Sequence, residues 1–333
     1  MTARLHVLDA GPGLCMQDLG RPGHIGIGLS PGGAIDSDSL LRGHALLGNA
    51  LDAVALEMAG FGGIFQVEGT SRVALTGANM RATLNREPVV PNATYSIANG
   101  DELWIGPATA SVYGYLHIGG GFQAEAVLGG RGYHGIANLG RLVRQGDVLD
   151  AGSETASGAP PMTLPAAAPS TAPIRVMDGP QTSLFPEDVR ARFEATRFIR
   201  STKGNRQGVR LDHDGAPYST GGQLTLASDF IAAGDIQMTG DGTPFVLLAD
   251  CQTMGGYPRI GTVLPGDLPR IAQAIPGSEV TFRFVTLEEA ENSWKGAGAR
   301  LEGFRRSVSP LVRDPHEMRD LLGYEFISRP IDD

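Results

Sequence analysis

Short apolar runs separated by glycine, proline and asparagine dominate the hydrophobic pattern of this chain. In the first half, these runs predict strands near residues 5–8, 73–75, 102–105 and 112–118. In the second half, similar runs predict strands near residues 174–177, 235–238, 245–249 and 280–285. The pattern therefore indicates a mainly β protein with a few helices.

Helical spacing interrupts this pattern at four places. Apolar residues recur at intervals near 3.6 after Asp36, which predicts a helix with Asp36 as N-cap that ends at Gly48 and Asn49. Further helices are predicted to begin near Pro186, Asp267 and Thr286.

The last of these helices starts with a capping box, because Thr286 is followed three residues later by Glu289. We predict that it continues toward Arg306. Gly296 and Gly298 weaken it, since glycine is a poor helix former.

One internal stretch has no periodicity and is rich in alanine, proline, serine and glycine, which predicts a linker at residues 151–173. A chain of 333 residues is also long for a single domain. We therefore divide the chain into an N-terminal domain (1–150), the linker, a C-terminal domain (174–312) and a tail (313–333).

Composition excludes several classes of protein. A formal net charge of −9 and a pI near 5.3 argue against nucleic-acid and anionic-membrane partners, which select basic surfaces. No run approaches the ~18 apolar residues of a membrane helix. Cys15 and Cys251 are too few for a disulfide framework, and no secretory signal pattern begins the chain. These features predict a cytoplasmic location.

The segment at residues 250–259 concentrates polar side chains directly after the apolar run 245–249. Its members Gln252, Thr253 and Tyr257 are not required by any turn type, which favours a functional site at a strand end. Gly255 and Gly256 are expected to allow positive φ and close approach of a ligand. The structural alternative is a polar turn whose residues serve conformation alone.

Two motif matches fail on physical grounds. Ser30 lies in a G-x-S-x-G pattern, but the following Pro31 has no N–H to donate to an oxyanion. The G-x-G-x-x-G match at 130–135 precedes a segment too short and too rich in glycine for a dinucleotide-binding helix. The chain also has no complete phosphate-binding loop, and its histidines lack ligand spacing, so we predict no metal site. Neither Lys203 nor Lys295 has the Met-Lys-Met context of a biotin carrier.

A second polar cluster lies near the N-terminus, with Gln17, Asp18 and Arg21 ahead of a glycine-rich passage. Together with 47–49, 55–57, 204–211, 234–237 and 250–259, in this order and spacing, it closely resembles the family called allophanate hydrolase subunit 2 or biotin-dependent carboxyltransferase. The resemblance covers roughly residues 3–310. That family includes the C subunit of bacterial 5-oxoprolinase and the carboxyltransferase portion of urea amidolyase. The chain departs from it at Cys251, where an arginine is expected.

The resemblance implies two linked cyclophilin-like β-barrel domains that build one cleft. The catalytic residues it implies are Asp250, Gln252, Thr253, Tyr257, Arg259 and Asp18. The substrate-binding or nucleotide-binding residues it implies are Gln17, Arg21, Ser30, Gly33, Asp36, Asn49, Glu57, Asn205, Arg206, Gln237, Gly255 and Gly256.

These residue types suit chemistry on amides, whose carbonyls are poor electrophiles. Donors such as Arg21, Arg206 and Arg259 can each stabilise a developing oxyanion by about 3 kcal/mol. Asp250 or Asp18 can act as a base or orient a metal-bound phosphate. The structural alternatives are ion pairing for the arginines and N-capping for Asp36.

The family resemblance favours a component of an ATP-dependent lactam or amide hydrolase, with 5-oxoprolinase preferred. A B-type partner subunit is expected to share the ATP, with magnesium, and an A-type subunit is a further expected partner. One alternative is a carboxyltransferase that uses biotin carried by another protein. Another is a non-catalytic regulatory module that antagonises a kinase inhibitor.

Overall fold

The computed structural model describes residues 3–156, 158–168, 170–220 and 227–312. Strands outnumber helices throughout, which confirms the predicted mainly β class. The N-terminal elements are β1 (Arg4–Ala10), β2 (Cys15–Gln17), a 3-10 helix (Ile25–Ile27), α1 (Ser37–Leu47), β3 (Ala55–Ala59), β4 (Phe61–Glu68), β5 (Ser71–Gly77), β6 (Met80–Leu84), β7 (Glu87–Val89), β8 (Thr94–Ile97), β9 (Glu102–Ala108), β10 (Tyr113–Ile118) and β11 (Val148–Asp150), followed within the linker by β12 (Met162–Thr163).

The second half begins with β13 and ends with a short strand that pairs with the linker. Its elements are β13 (Ile174–Met177), a 3-10 helix (Thr182–Leu184), α2 (Glu187–Ala195), β14 (Phe198–Asn205), β15 (Gly208–Asp212), β16 (Asp229–Phe230), β17 (Asp235–Met238), β18 (Pro244–Leu247), β19 (Met254–Gly255), β20 (Arg259–Val263), α3 (Leu268–Gln273), β21 (Glu279–Val280), β22 (Phe282–Val285), α4 (Leu287–Ser293), α5 (Ala297–Ser307) and β23 (Ser309–Pro310). The predicted tail, 313–333, lies outside the described residues.

Two sheets form the N-terminal barrel. One has six strands in the order β11-β1-β4-β9-β6-β7, and the other has five in the order β2-β3-β10-β5-β8. Their apolar side chains share one core that includes the fully buried Leu5, Phe65, Leu103 and Leu116. Alternation of apolar and polar residues along β1 and β4 predicts this arrangement, because successive side chains point to opposite faces.

Eight strands form the C-terminal barrel, in the order β21-β14-β15-β18-β17-β20-β13-β22. The two edge strands, β21 and β22, are separated along the chain by Thr281 alone. The sheet must therefore curl until its two edges meet, which makes it barrel-like and protects its edges from other chains. The adjoining aromatic rings of Phe193, Phe198 and Phe282 pack against one another in its core.

The two barrels share a continuous apolar core. Ile35, Leu40 and Tyr115 from the N-terminal barrel belong to the same buried cluster as Val176 and Phe198 from the C-terminal barrel. Burial of such side chains stabilises each by about 1.5–3 kcal/mol relative to exposure. The contact between the barrels is therefore a core rather than a polar surface.

The linker is fastened to the N-terminal barrel over much of its length. Glu154 forms a buried ion pair with Arg72 at 2.5 Å between Oε1 and Nε. Leu164 is 2% exposed and packs with Leu46 and Leu47 of α1. Composition alone predicts a linker here but not its docking, because those contacts come from residues distant in the chain.

Helix α1 begins and ends where its sequence predicts. The Asp36 carboxylate accepts a hydrogen bond from Ser39 N at 2.9 Å, and Gly48 ends the helix with φ of 70°. The helix lies against β10, and Gly43 allows a close approach there. A Cβ atom at position 43 would lie 2.2 Å from the His117 ring.

Two buried imidazoles, His44 and His117, meet at this contact with ring centroids 5.5 Å apart. His117 Nε2 is hydrogen-bonded to Thr76 Oγ1 at 2.9 Å. Burial lowers the pKa of His44 to about 4 and lowers the pKa of His117 well below its usual range. Both rings are therefore neutral in the folded protein at pH 7.

The helix predicted to run from Thr286 toward Arg306 is instead two helices. The capping box at Thr286 is present, but α4 ends at Ser293 and α5 begins at Ala297. Gly296 is the N-cap of α5, so the weakness of glycine inside a helix becomes a break. The break allows α5 to pack on α1, where Leu301 contacts a cluster that includes Leu41.

Candidate functional site

Arg206 is the centre of a buried polar network between the two barrels. It lies in the tight turn between β14 and β15, and its Nε and Nη2 atoms donate to the two carboxylate oxygens of Asp250, each at 2.9 Å. Its Nη1 atom donates to Glu57 of β3, and Nη2 also donates to Gly33 O at 2.7 Å. One guanidinium group thus joins two carboxylates that belong to different barrels.

The charge state of this network follows from its geometry. Burial acts to lower the pKa of Arg206, but the charges of Glu57 and Asp250 outweigh it and raise that pKa well above its usual range. Bidentate pairing of an arginine with a carboxylate also fixes the carboxylate plane. Asp250, three residues after the end of β18, is therefore held in one orientation by Arg206.

Glu57 extends the network through the N-terminal barrel. It lies opposite Tyr115 in the β3–β10 pair, and the Tyr115 hydroxyl donates to Glu57 Oε2 at 2.7 Å. The same hydroxyl accepts from Asp36 N at 2.8 Å, while Ile35 N donates to Glu57 Oε2 at 2.9 Å. Burial, followed by the Glu57 charge, raises the pKa of Tyr115 well above its usual range, so the phenol keeps its proton.

Gln273 of α3 connects Asp36 to the C-terminal barrel. Its Nε2 atom donates to Asp36 Oδ2 at 2.9 Å and to Tyr113 O at 2.8 Å. Its Oε1 atom accepts from the backbone N–H groups of Val112 and Tyr113. Since these four bonds use the whole hydrogen-bonding capacity of the amide, Gln273 fixes the register of one barrel on the other.

A loop of the N-terminal barrel brings His134 and Gly135 to Asp250. Gly135 N donates to Asp250 Oδ2 at 3.2 Å. His134 Nδ1 accepts from Ala137 N at 3.2 Å, so Nε2 carries the proton and donates to Ser30 Oγ at 2.9 Å. Burial lowers the pKa of His134, which keeps the ring neutral. In this tautomer the imidazole cannot take a proton from Ser30, which agrees with the rejection of a serine nucleophile.

The residues Gln17, Asp18 and Arg21 are buried beside the same loop. Asp18 accepts from Gly20 N at 2.8 Å and from Arg131 N at 2.6 Å. Gln17 Nε2 donates to Tyr133 O at 2.9 Å. The polar cluster near the N-terminus therefore supports the loop at residues 130–135.

Arg21 is 1% exposed and forms no ion pair among the residues that the structure describes. Its Nη2 atom donates to Gly132 O at 2.6 Å and its Nε atom donates to Val127 O at 3.2 Å. Its Nη1 atom has no hydrogen-bond partner within the described ranges. Buried polar groups are nearly always paired, so this donor requires a partner that the described residues do not supply.

Arg259 belongs to a different network. Its guanidinium group donates to Asp229 and, at 3.2 Å, to Asp235 of β17. Its Nε atom donates to Gln181 Oε1 at 3.3 Å. The structure therefore does not bring Arg259 together with the pair of Arg206 and Asp250.

The rest of the 250–259 segment turns outward. Thr253 is buried and its hydroxyl lies near Gly28, whereas Gln252 is exposed and Tyr257 is 43% exposed. Gly255 and Gly256 do not have positive φ, in contrast to the sequence-based expectation. Gly255 packs closely against Gln237, because a Cβ atom there would lie 2.7 Å from Gln237 Nε2.

Two asparagines lie away from the network and serve the backbone. Asn49 donates to Ile118 O at 2.9 Å and accepts from Gly120 N at 2.8 Å. Asn205 is exposed and accepts from Gln207 N at 2.8 Å, which shapes the turn that carries Arg206.

Sequence reasoning missed His134, Tyr115 and Gln273. His134 lies inside the G-x-G-x-x-G match, which does not open a helix in the structure. The glycines of that match serve another purpose, since a Cβ at Gly132 would lie 2.5 Å from Gln17 Oε1. The concentration of glycines around His134 was therefore the available signal, because it indicates close packing as well as a nucleotide loop.

Other chemistry receives no support from the described residues. Burial raises the pKa of the Cys15 thiol to about 12, with a further contribution from the charge of Glu57. Burial also raises the pKa of the Cys251 thiol to about 12. Neither thiol therefore suits a nucleophile. No three histidine, cysteine, aspartate or glutamate side chains gather as metal ligands within the ranges described.

Across the described residues, no helix has the length and apolar character needed to cross a membrane.

Comparison with known proteins identifies the family to which this chain belongs. Residues 27–284 match the family described as "Carboxyltransferase domain, subdomain A and B". The chain is 29% identical to the 5-oxoprolinase C subunit of Haemophilus influenzae over 312 residues, covering 91% of this chain and 98% of that protein. It is 30% identical to the 5-oxoprolinase C subunit of Escherichia coli over 290 residues, covering 86% and 93% respectively.

A solved structure shows the same fold. The crystal structure of the K. lactis urea amidolyase matches with a TM-score of 0.82 at 25% identity. The match covers 94% of this chain but 21% of that much longer one. On the family match and the two 5-oxoprolinase relatives, the chain belongs to the carboxyltransferase family with subdomains A and B, which includes the 5-oxoprolinase C subunit and part of urea amidolyase.

Proposed function

We propose that this chain is the C-type component of an ATP-dependent lactam hydrolase that converts 5-oxoproline, ATP and water to glutamate, ADP and phosphate. The supporting observation is the extent of the likeness. The chain covers nearly the full length of two 5-oxoprolinase C subunits but about a fifth of the urea amidolyase chain. A B-type subunit is the proposed partner, with an A-type subunit as a further one, and the proposed location is the cytoplasm.

The network around Arg206 supplies the chemistry that ring opening requires. The Asp250 carboxylate is held in one orientation by Arg206, so it can accept a proton or align an N–H group of the substrate. Arg21 presents a buried, unpaired donor that can polarise a carbonyl oxygen and stabilise the oxyanion that forms on attack. His134 and Ser30 are hydrogen-bonded to each other at 2.9 Å beside them.

The described residues do not by themselves fit a nucleotide. A triphosphate requires several free cations or a phosphate-binding loop, but Arg206 and Arg259 are already paired with carboxylates. We therefore propose that ATP, with magnesium, is bound mainly by residues of the B-type partner.

The likeness to urea amidolyase favours a second candidate, which is carboxyl transfer to urea or a related amide. In that case, biotin would be carried by another protein, because neither lysine of this chain lies in a biotin-carrier context. The same donor at Arg21 and the same carboxylate at Asp250 would then act on the acceptor amide.

Reconstitution distinguishes the two functions. The chain is co-purified with its B-type and A-type partners, and ATP hydrolysis is measured with and without 5-oxoproline. We expect hydrolysis that depends on 5-oxoproline, requires all partners and is unaffected by avidin. Absence of turnover in the complete complex would contradict the proposal, and inhibition by avidin would favour carboxyl transfer.

A further inference from the structure

Arg200 of β14 is a buried cation that forms no ion pair among the residues that the structure describes. It is 5% exposed, and its guanidinium group makes one hydrogen bond within the described ranges, from Nη1 to Ser201 O. Burial lowers the pKa of Arg200, and the opposing contribution comes from the Tyr113 phenol rather than from a carboxylate. An uncompensated buried charge is costly, so buried cations are normally paired. Arg200 therefore requires an anion that the described residues do not supply.

The carboxylates on the two neighbouring strands are engaged with other arginines. On β15, Asp212 Oδ1 accepts from Arg210 Nε at 2.8 Å. On β21, Glu279 Oε2 lies 3.1 Å from Arg197 Nη1. Each acidic neighbour in the sheet is thus paired with a more exposed arginine, and Arg200 is left without neutralisation.

A β-bulge brings the guanidinium group of Arg200 to the protein surface. Arg200 is opposite Leu211 and Gly204 is opposite Val209, so residues 201–203 of β14 face a single residue of β15. Bulges bend a strand and re-aim its side chains. Here the strand turns back over the arginine, because a Cβ atom at the exposed position 204 would lie 2.7 Å from Arg200 Nη2. A glycine at this position leaves the tip of Arg200 uncovered.

Two nitrogen atoms of Arg200 retain unused donors on one edge of the guanidinium group. Nε is enclosed and has no partner in the described part of the chain. Nη2 has no described partner either, but it is not enclosed and is reached from solvent beside Gly204. This edge of an arginine matches the oxygens of carboxylate and phosphate groups. The exposed Lys203 in the bulge adds a second positive charge.

From this geometry we infer an oxyanion site at the β14 bulge, in which Arg200 binds a carboxylate or phosphate group through its open Nη2 atom. Gly204 is the position that admits the anion. Within the described ranges Arg200 is not bonded to Arg206 or Asp250, so the site is separate from the network between the barrels and does not depend on the proposed function.

The first test uses the full, unaltered chain and three salts. Thermal unfolding midpoints are measured against concentration in sodium phosphate, sodium acetate and sodium chloride at equal ionic strength. An anion that binds only the folded state raises the midpoint in a concentration-dependent way. We expect phosphate or acetate to raise it above the chloride value. A larger effect of acetate assigns the site to a carboxylate, and a larger effect of phosphate assigns it to a phosphate group. Identical midpoints in the three salts would overturn the inference.

Arg200→Met distinguishes binding from general salt effects, because phosphate also stabilises folded proteins by exclusion from their surface. Dissociation constants are measured by calorimetric titration with the more effective anion. We expect the variant to bind it about tenfold or more weakly, since a charged donor is lost. In chloride its unfolding midpoint should exceed that of the unaltered chain, because the uncompensated charge is gone. The same anion affinity in both proteins would overturn the inference.

The matched control is Arg197→Met, because Arg197 directly precedes β14 but is 75% exposed and pairs with Glu279. We expect its anion affinity to equal that of the unaltered chain. Gly204→Ala provides a second variant, since the backbone at position 204 does not have positive φ and accepts alanine. The added Cβ atom crowds Nη2, so binding should weaken about tenfold. If Arg200→Met does not fold, unchanged affinity in Gly204→Ala would overturn the site.

Discussion

Arg206 and Glu57 lie 149 positions apart in the chain, yet they form an ion pair with both side chains largely buried. The same guanidinium group holds Asp250, so each carboxylate depends on one cation for its neutralisation. An ion pair of this kind fixes geometry more than it adds stability, but removing one partner leaves buried charge without compensation.

Replacement of Arg206 by glutamine should therefore be severe. We expect the free energy of unfolding to fall by about 3–5 kcal/mol, since two buried carboxylates lose their partner. Urea denaturation followed by circular dichroism measures the change. The matched control is Arg4→Gln, which breaks half-exposed pairs with Glu68 and Asp150 and should cost about 1 kcal/mol or less. Similar losses in the two variants would contradict the central role of Arg206.

Gln273 offers a test of the contact between the barrels. Gln273→Ala removes four hydrogen bonds and leaves Val112 N and Tyr113 N without their acceptor. We expect a loss of about 2 kcal/mol or more in the free energy of unfolding. Gln273→Glu retains the acceptor but places a second carboxylate beside Asp36, so its effect should be larger at pH 7 than at about pH 4, near the ordinary carboxyl pKa. An effect that does not vary with pH would argue against that contact.

The buried imidazoles predict acid sensitivity. His44 and His117 have folded-state pKa values below that of the unfolded chain, so the unfolded state binds more protons as the pH falls. The contribution of His44 is fully present above about pH 6.5 and is lost as the pH falls toward about 4. Between pH 7 and pH 5 the expected loss for His44 is roughly 2 kcal/mol, and His117 acts in the same direction.

Urea midpoints at the two pH values measure this loss. His44→Leu removes one titrating group and should reduce the loss of unfolding free energy between pH 7 and pH 5 by roughly 2 kcal/mol. The same difference in the variant and in the unaltered chain would show that other groups cause the acid sensitivity.

The packing of the linker on the N-terminal barrel can be tested by mutation, although composition alone describes this segment only as irregular. Leu164→Ala should lower the free energy of unfolding by about 2–5 kcal/mol, because the side chain is 2% exposed and packs against α1. Limited proteolysis should then cut within residues 151–173 faster than in the unaltered chain. Exposed Val148 provides the control, since Val148→Ala should leave both measurements nearly unchanged.

Local signals in the sequence were sufficient where the responsible groups are neighbours. The N-cap at Asp36, the C-cap at Gly48 and the capping box at Thr286 each involve residues within one helical turn, and the structure has all three. The mainly β class also follows from short alternating runs and frequent turns.

Long-range pairing was not accessible in the same way. The sequence does not distinguish Arg259 from Arg206. In the structure, the register of the sheet places Arg259 beside Asp229 and Asp235, with which it forms ion pairs. A turn places Arg206 beside Asp250 instead. Likewise, His134 lies 104 positions from Ser30 and reaches it only because the loop at 130–135 folds over Arg21. Spacing along the chain contains no information about either outcome.

The docking of the linker and of α5 on the N-terminal barrel has a mechanical consequence. The chain enters the C-terminal barrel from one anchored segment and returns through another, with Arg300 bonded to Asp38 and Arg305 to Asn49 O. A hinge needs an unanchored connection, whereas described residues of both connections are bonded to the N-terminal barrel. These contacts therefore favour a fixed orientation of the two barrels over hinge motion between them.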